Sequence, residues 1–137
     1  MTERATIRSG LAPYITIRGG RGQEAVDWYG EAFGATVGYS ARSDDGARYM
    51  HASLEINGAW LLMSDDFPAY MGGKETAPPS AVTLHLQVDD ADAWWRRAVT
   101  AGAEITMPLQ NQFWGDRYGQ LRDPFGHGWS IGGPVTG

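Results

Sequence analysis

The chain contains no cysteine. That excludes a disulfide framework, a thiolate metal site and a cysteine nucleophile. Lysine is nearly absent: Lys74 stands alone beside ten scattered arginines, and the net charge is −5. Phosphate-backbone binding needs clustered Lys and Arg, so nucleic acid is not expected as a partner. Arg96-Arg97 reads as the solvated face of a helix. Histidine is limited to His51, His85 and His127. No apolar run approaches the roughly 20 residues that span a bilayer. The stretch Met1–Arg8 has no apolar core of the kind a secretory signal needs, so a cytoplasmic location away from membranes is the expectation. No Ser-His-Asp order, phosphate-cradling Gly-rich loop or zinc-protease motif occurs. Gly19-Gly20-Arg21-Gly22 lacks the spacing of a dinucleotide fingerprint.

What the chain has in quantity is aromatic residues, 6 Trp, 6 Tyr and 4 Phe in 137 residues. At that length one domain with a single core is expected. Tryptophan beyond the needs of a core marks a surface that stacks flat ligands.

The hydrophobic pattern repeats. Tyr14–Ile17 alternates like a strand, and Ala25, Val26, Tyr29, Ala32 and Phe33 recur at helical spacing before Gly34, a helix C-cap. Strand-like Thr36–Arg42 and Tyr49–Ile56 follow, then the hairpin signal Asn57-Gly58 and the run Ala59–Met63. The second half repeats this order. Val82–Val88 alternates, and Asp89-Asp90 caps a helix with Ala91, Trp94, Trp95, Ala98 and Val99 on its apolar face. Gly102 stops that helix, and strand-like Glu104–Met107, Phe113–Leu121 and Gly128–Ile131 complete the half. The fold class is therefore α+β: two tandem βαβββ modules, 11–66 and 81–133, in one domain spanning 1–137, joined by a linker over 67–80. Each helix should cover one face of its strands, leaving a curved sheet around a cleft. Ile15 and Ile17 oppose Tyr14 and Thr16; Leu84, Leu86 and Val88 oppose Thr83, His85 and Gln87. The polar sets should face the cleft.

The most informative segment lies near the C-terminus: Gln112-Phe113-Trp114-Gly115-Asp116-Arg117-Tyr118-Gly119, then Asp123-Pro124-Phe125-Gly126-His127. With the duplicated modules and Pro13-Tyr14-Ile15, this string resembles the vicinal oxygen chelate superfamily of glyoxalase I, bleomycin-resistance proteins and extradiol dioxygenases. It is most similar to the PhnB-like branch. The resemblance implies a glyoxalase/bleomycin-resistance fold and a homodimer. It leaves the chemistry open, because this fold serves isomerases, dioxygenases and metal-free drug binders. The superfamily's metal enzymes place His, Gln or Glu on four strands. Those positions fall here near Ala12, within Leu61–Met63, at Thr83 and at Ser130, none a useful ligand, so no metal or other cofactor is expected. The alternative is a metal-dependent lyase, isomerase or dioxygenase with a shifted site built from His85 with His51 or Glu55. A metal-free enzyme with His85 as general base is a further reading.

The residues expected to line the cleft and bind ligand are Tyr14, Thr16, His51, Ser53, Leu61, Met63, His85, Gln87, Phe113, Trp114 and Ser130. Aromatic walls with a few hydrogen-bonding groups suit a flat, partly polar metabolite or antibiotic. Parity alone leaves Trp60 equally suited to core and cleft. Asp116-Arg117 reads as an ion pair fixing the loop before the last hairpin. Asp123 reads as an Asx turn, and Asp65-Asp66 as a solvated turn after a strand.

Overall fold

The computed structural model describes residues 5–70 and 72–137; Met1–Arg4, half of the stretch read above for a leader, and Met71 of the linker lie outside the described residues. The elements run β1 (Tyr14–Ile17), α1 (Gly22–Phe33), β2 (Thr36–Arg42), β3 (Tyr49–Ile56), β4 (Ala59–Asp65), a 3-10 turn (Pro68–Tyr70), β5 (Thr83–Gln87), α2 (Ala91–Thr100), β6 (Glu104–Asn111), β7 (Asp116–Arg122) and β8 (Gly128–Pro134). They form two four-stranded mixed sheets of the same topology, β1-β4-β3-β2 and β5-β8-β7-β6. In each sheet the first strand pairs parallel with the fourth, and the remaining pairs are antiparallel. This is the α+β architecture that the repeated pattern predicts. The chain forms two compact units. One comprises the residues up to Gly30 with Gly34–Ala77; the other comprises Glu31–Phe33 with Pro78–Gly137.

The local chemistry explains the boundaries. Asn57 (φ 50°) and Gly58 (φ 81°) take the left-handed pair of conformations that a tight hairpin turn requires. Gly34 ends α1 in the left-handed region at φ 69°, and its N–H donates to the Gly30 carbonyl while Ala35 N–H donates to Tyr29. Asp90 caps α2 by accepting from Ala93 N–H at 3.1 Å. The start of α1 is held differently. Asp65, at the end of β4, accepts from Gly22 N–H at 2.8 Å and from Tyr49 N–H at 2.7 Å. Asp65 and Asp66 are therefore not a solvated turn; both are buried, because one carboxylate satisfies otherwise orphaned helix and strand donors and the other is gripped by Arg48 at 2.9 Å.

In the first unit one sheet face buries Ile15, Ile17, Ala52, Leu54, Ile56, Leu61 and Met63. In the second, Leu86, Val88, Leu121, Trp129 and Ile131 are buried, α2 packs on β8 and β6, and Phe33 meets the Trp129 ring at 4.6 Å. Full burial of each such side chain contributes about 1.5–3 kcal/mol. Trp95 crosses this apolar face over Gly119, where an added Cβ would lie 2.6 Å from the indole. β6 runs on past its expected end through Pro108. It is an edge strand whose register shifts between Ile105, Met107 and Gln110 absorb a residue that cannot donate.

Candidate functional site

The other face of each sheet stays open, and that face carries the polar and aromatic residues. In the second unit it begins with the Asp123 turn. Asp123 is buried, and its Oδ1 accepts from Phe125 and His127 N–H at 2.9 and 3.0 Å. Its Oδ2 accepts from the Trp129 indole at 2.8 Å, so the expected Asx turn also anchors β8 to the core. β8 then presents Ser130 opposite His85 of β5 and Gln120 of β7.

His85 is fixed from both sides. Its Nδ1 lies 2.7 Å from Ser130 Oγ and its Nε2 lies 2.8 Å from Gln87 Oε1. An amide oxygen only accepts, so Nε2 carries the proton and the Ser130 hydroxyl donates to Nδ1. Close approach of this group to the β8 backbone requires glycine at 132, where a Cβ would stand 2.9 Å from His85 Cε1 and 3.1 Å from Gln87 Oε1. The Tyr118 ring stacks on His85 at 5.9 Å and 23°. Gln120 Nε2 donates to the Tyr118 hydroxyl at 3.0 Å. Trp114 meets Tyr118 edge-on at 5.7 Å, and Phe113 meets Trp114 at 5.1 Å and 87°. The result is a continuous run Phe113–Trp114–Tyr118–His85, bordered by Gln87 and Gln120. Phe113 and Trp114 sit in the turn before β7 rather than in the strand, and are 96% and 49% exposed. Arg117 does not pair with Asp116. It grips Asp92 of α2 through Nε and Nη2 at 2.9–3.1 Å, facing away from this run.

The first unit repeats the arrangement with two residues exchanged. Tyr14 and Ser53 stand opposite Leu62, as His85 and Gln120 stand opposite Ser130. His51, two residues before Ser53, corresponds to Tyr118, two residues before Gln120. Each open face thus bears a tyrosine–histidine pair across its first and third strands. In the first unit the tyrosine is on the first strand, and in the second the histidine is. The Tyr14 hydroxyl lies 2.9 Å from His51 Nδ1, and the Tyr39 ring flanks His51 at 6.2 Å. The signal for this was present as Tyr14 and His85 on the polar parity of matching strands, but Tyr39, Tyr118 and Gln120 were missed because a single-strand reading does not show which residues adjoin across a ladder.

Two expected lining residues fall elsewhere. Leu61 and Met63 are buried with Ile15 and Ile17; the register puts Leu62 on the open face with Tyr14. A run of apolar residues carries no parity, so only the pairing settles it. Trp60, opposite Glu55, lies on the open-face side with its indole against Gly38. Ser53 has the expected face but no exposure: its hydroxyl donates to the Ala5 carbonyl and accepts from Tyr39 N–H, each at 3.0 Å. Thr16 is half-buried on the open face, Gln87 is exposed, and Ser130 is buried beneath His85.

The four positions at which the resemblance places metal ligands do not fit a metal: Ala12, just before β1, has no donor, Leu61–Met63 offers only Leu and Met side chains, the Ser130 hydroxyl is engaged by His85, and Thr83 is a lone hydroxyl. Among the described residues no three His, Asp or Glu side chains converge as a metal site. No helix among them is long and apolar enough to cross a membrane.

Comparison with known proteins agrees with the fold. The model of the Glyoxalase/Bleomycin resistance protein/Dioxygenase superfamily matches residues 12–131. The uncharacterized protein Rv0887c of Mycobacterium tuberculosis is 41% identical, over 98% of this chain and 79% of its own length. The crystal structure of PA1353 from Pseudomonas aeruginosa superposes with a TM-score of 0.74 at 26% identity, covering 92% of this chain and 98% of that one. The PhnB protein of Bacillus cereus shares the fold, with a TM-score of 0.70 at 20% identity over 93% of this chain and all (100%) of its own. A duplicated βαβββ chain with these matches over nearly its whole length belongs to the glyoxalase/bleomycin resistance/dioxygenase superfamily.

Proposed function

We propose that this protein binds an aromatic or mixed-polarity small molecule, a metabolite or an antibiotic, without a metal ion, and that it falls in the PhnB-like branch. The observation that carries this reading is the exposed run Phe113–Trp114–Tyr118–His85 on the open face of the second unit. Four consecutive rings at 5–6 Å spacing offer a planar guest both faces and edges. Gln87 and Gln120 border the run with amide groups that fix orientation. Both nitrogens of His85 are engaged, which suits a polar wall of fixed tautomer better than a general base awaiting a proton. The lack of imidazole or carboxylate at the four strand positions favours this reading over a metal-dependent lyase, isomerase or dioxygenase.

The test is calorimetric titration with planar heteroaromatic compounds. Loss of an aromatic contact worth about 1.4 kcal/mol corresponds to tenfold in affinity. Trp114→Ala should therefore weaken binding roughly tenfold, and Trp94→Ala, on the helix, should leave it unchanged. Equal affinities for wild type and Trp114→Ala would remove the aromatic run as the site.

A further inference from the structure

The open face of the first unit carries a cation, Arg18, with no counter-ion among the described residues. β1 ends at Ile17, but the ladder continues one step, since Asp66 N–H donates to the Ile17 carbonyl at 2.9 Å. Alternation then carries Arg18 to the face of Tyr14 and Thr16. Arg18 is half-buried, and its Nε is buried with no hydrogen-bond partner. Arg21, Arg48 and Arg117 are paired with Glu24, Asp66 and Asp92; among the described residues Arg18 is paired with none. The carboxylate next to it, just past the end of β4, is Asp66, already held by Arg48 through Oδ1 at 2.9 Å and through its backbone carbonyl at 2.6 Å. Glu55 shares the face but stands opposite Trp60 at the far end of β4, about 20 Å away at the rise of an extended strand.

A buried guanidinium donor with nothing to accept from it destabilises the free protein. The same fork of donors matches a carboxylate or phosphoryl group in two parallel hydrogen bonds. Tyr14 lies four residues back along β1, about 13 Å at the rise of a strand, and His51 stands across β4 at the level of Thr16, an aromatic surface on the same face as the charge. We propose that Arg18 anchors the anionic group of a small molecule, a carboxylate or a phosphoryl group, whose body lies on Tyr14 and His51. This site is independent of the ring run on the second unit and stands or falls separately from it.

Amide chemical-shift mapping on the full-length protein tests it, with inorganic phosphate and benzoate as the probes. At least one should shift Thr16, Arg18 and His51 saturably at millimolar concentration. Arg18→Met, which keeps the aliphatic stem, should abolish the shifts, and Arg18→Lys should keep them with at least severalfold weaker affinity. A response to phosphate alone assigns a phosphoryl ligand, and a response to benzoate alone assigns a carboxylate. Arg18→Met should melt at or above the wild-type temperature in anion-free buffer, because no partner is lost. No response to either anion, shifts that survive Arg18→Met, or a marked fall in its melting temperature would overturn the proposal.

Discussion

Asp65 and Gly22 depend on each other. An added Cβ at Gly22 would stand 2.2 Å from Asp65 Oδ2, and the same carboxylate holds the Gly22 and Tyr49 donors. Asp65→Ala leaves two buried N–H groups unmet, at about 1–3 kcal/mol each. Chemical denaturation should therefore show a loss of about 2–6 kcal/mol, and Gly22→Ala should be comparably severe. In sequence Asp65-Asp66 looked like any acidic turn; nothing local distinguishes a carboxylate in water from one serving a helix more than forty residues earlier. Asp45 behaves as a local reading would suggest. Its carboxylate accepts from the Ser43 hydroxyl and the Ala47 N–H, which hold its pKa below the usual 3.8. A pKa lower when folded than when unfolded means the contribution to stability is present above about pH 4 and is lost as the solution is acidified through the folded value. NMR titration of the Asp45 side chain should give a midpoint below 3.8, and Ser43→Ala should raise it.

Among the elements, the central pieces of the duplication were legible, since Gly34, Gly102, Asn57-Gly58 and the alternation in β1 and β5 each act within a few residues. Parity in β4 was not, because Trp60–Met63 is apolar on both faces and only pairing with Tyr14 and Ser53 separates Leu62 from Leu61 and Met63. The exchanged tyrosine–histidine pairs were hidden for the same reason: they join strands separated in the chain by a helix and one further strand. The glycines of the second sheet allow the two faces to be tested apart. The atoms nearest an added Cβ at Gly132 are the far ends of the His85 and Gln87 side chains rather than backbone. Gly132→Ala should leave stability within about 1 kcal/mol while displacing the imidazole, read as a change in the His85 ring nitrogen shifts. Gly119→Ala meets the Trp95 ring and the Leu109 backbone at 2.6–2.8 Å. It should cost about 1–3 kcal/mol or more by overpacking, read as a clear drop in melting temperature.

For the whole molecule, family membership fixes the architecture and leaves the ligand to the open faces. Leu11, Tyr70, Val82 and Val135 are exposed apolar residues, and we propose that the chain forms a homodimer, as the resemblance implied. Light scattering after size exclusion should give twice 14.9 kDa. The central claim is that rings and hydrogen bonds on the second unit, with no metal ion, hold the guest. Its most direct test is tryptophan emission of chelator-dialysed protein titrated with planar aromatic compounds. Saturable quenching, undiminished by the dialysis and lost in Trp114→Ala, is the predicted result. Quenching that vanishes with the chelator and returns only with stoichiometric nickel, zinc, iron or manganese would contradict it.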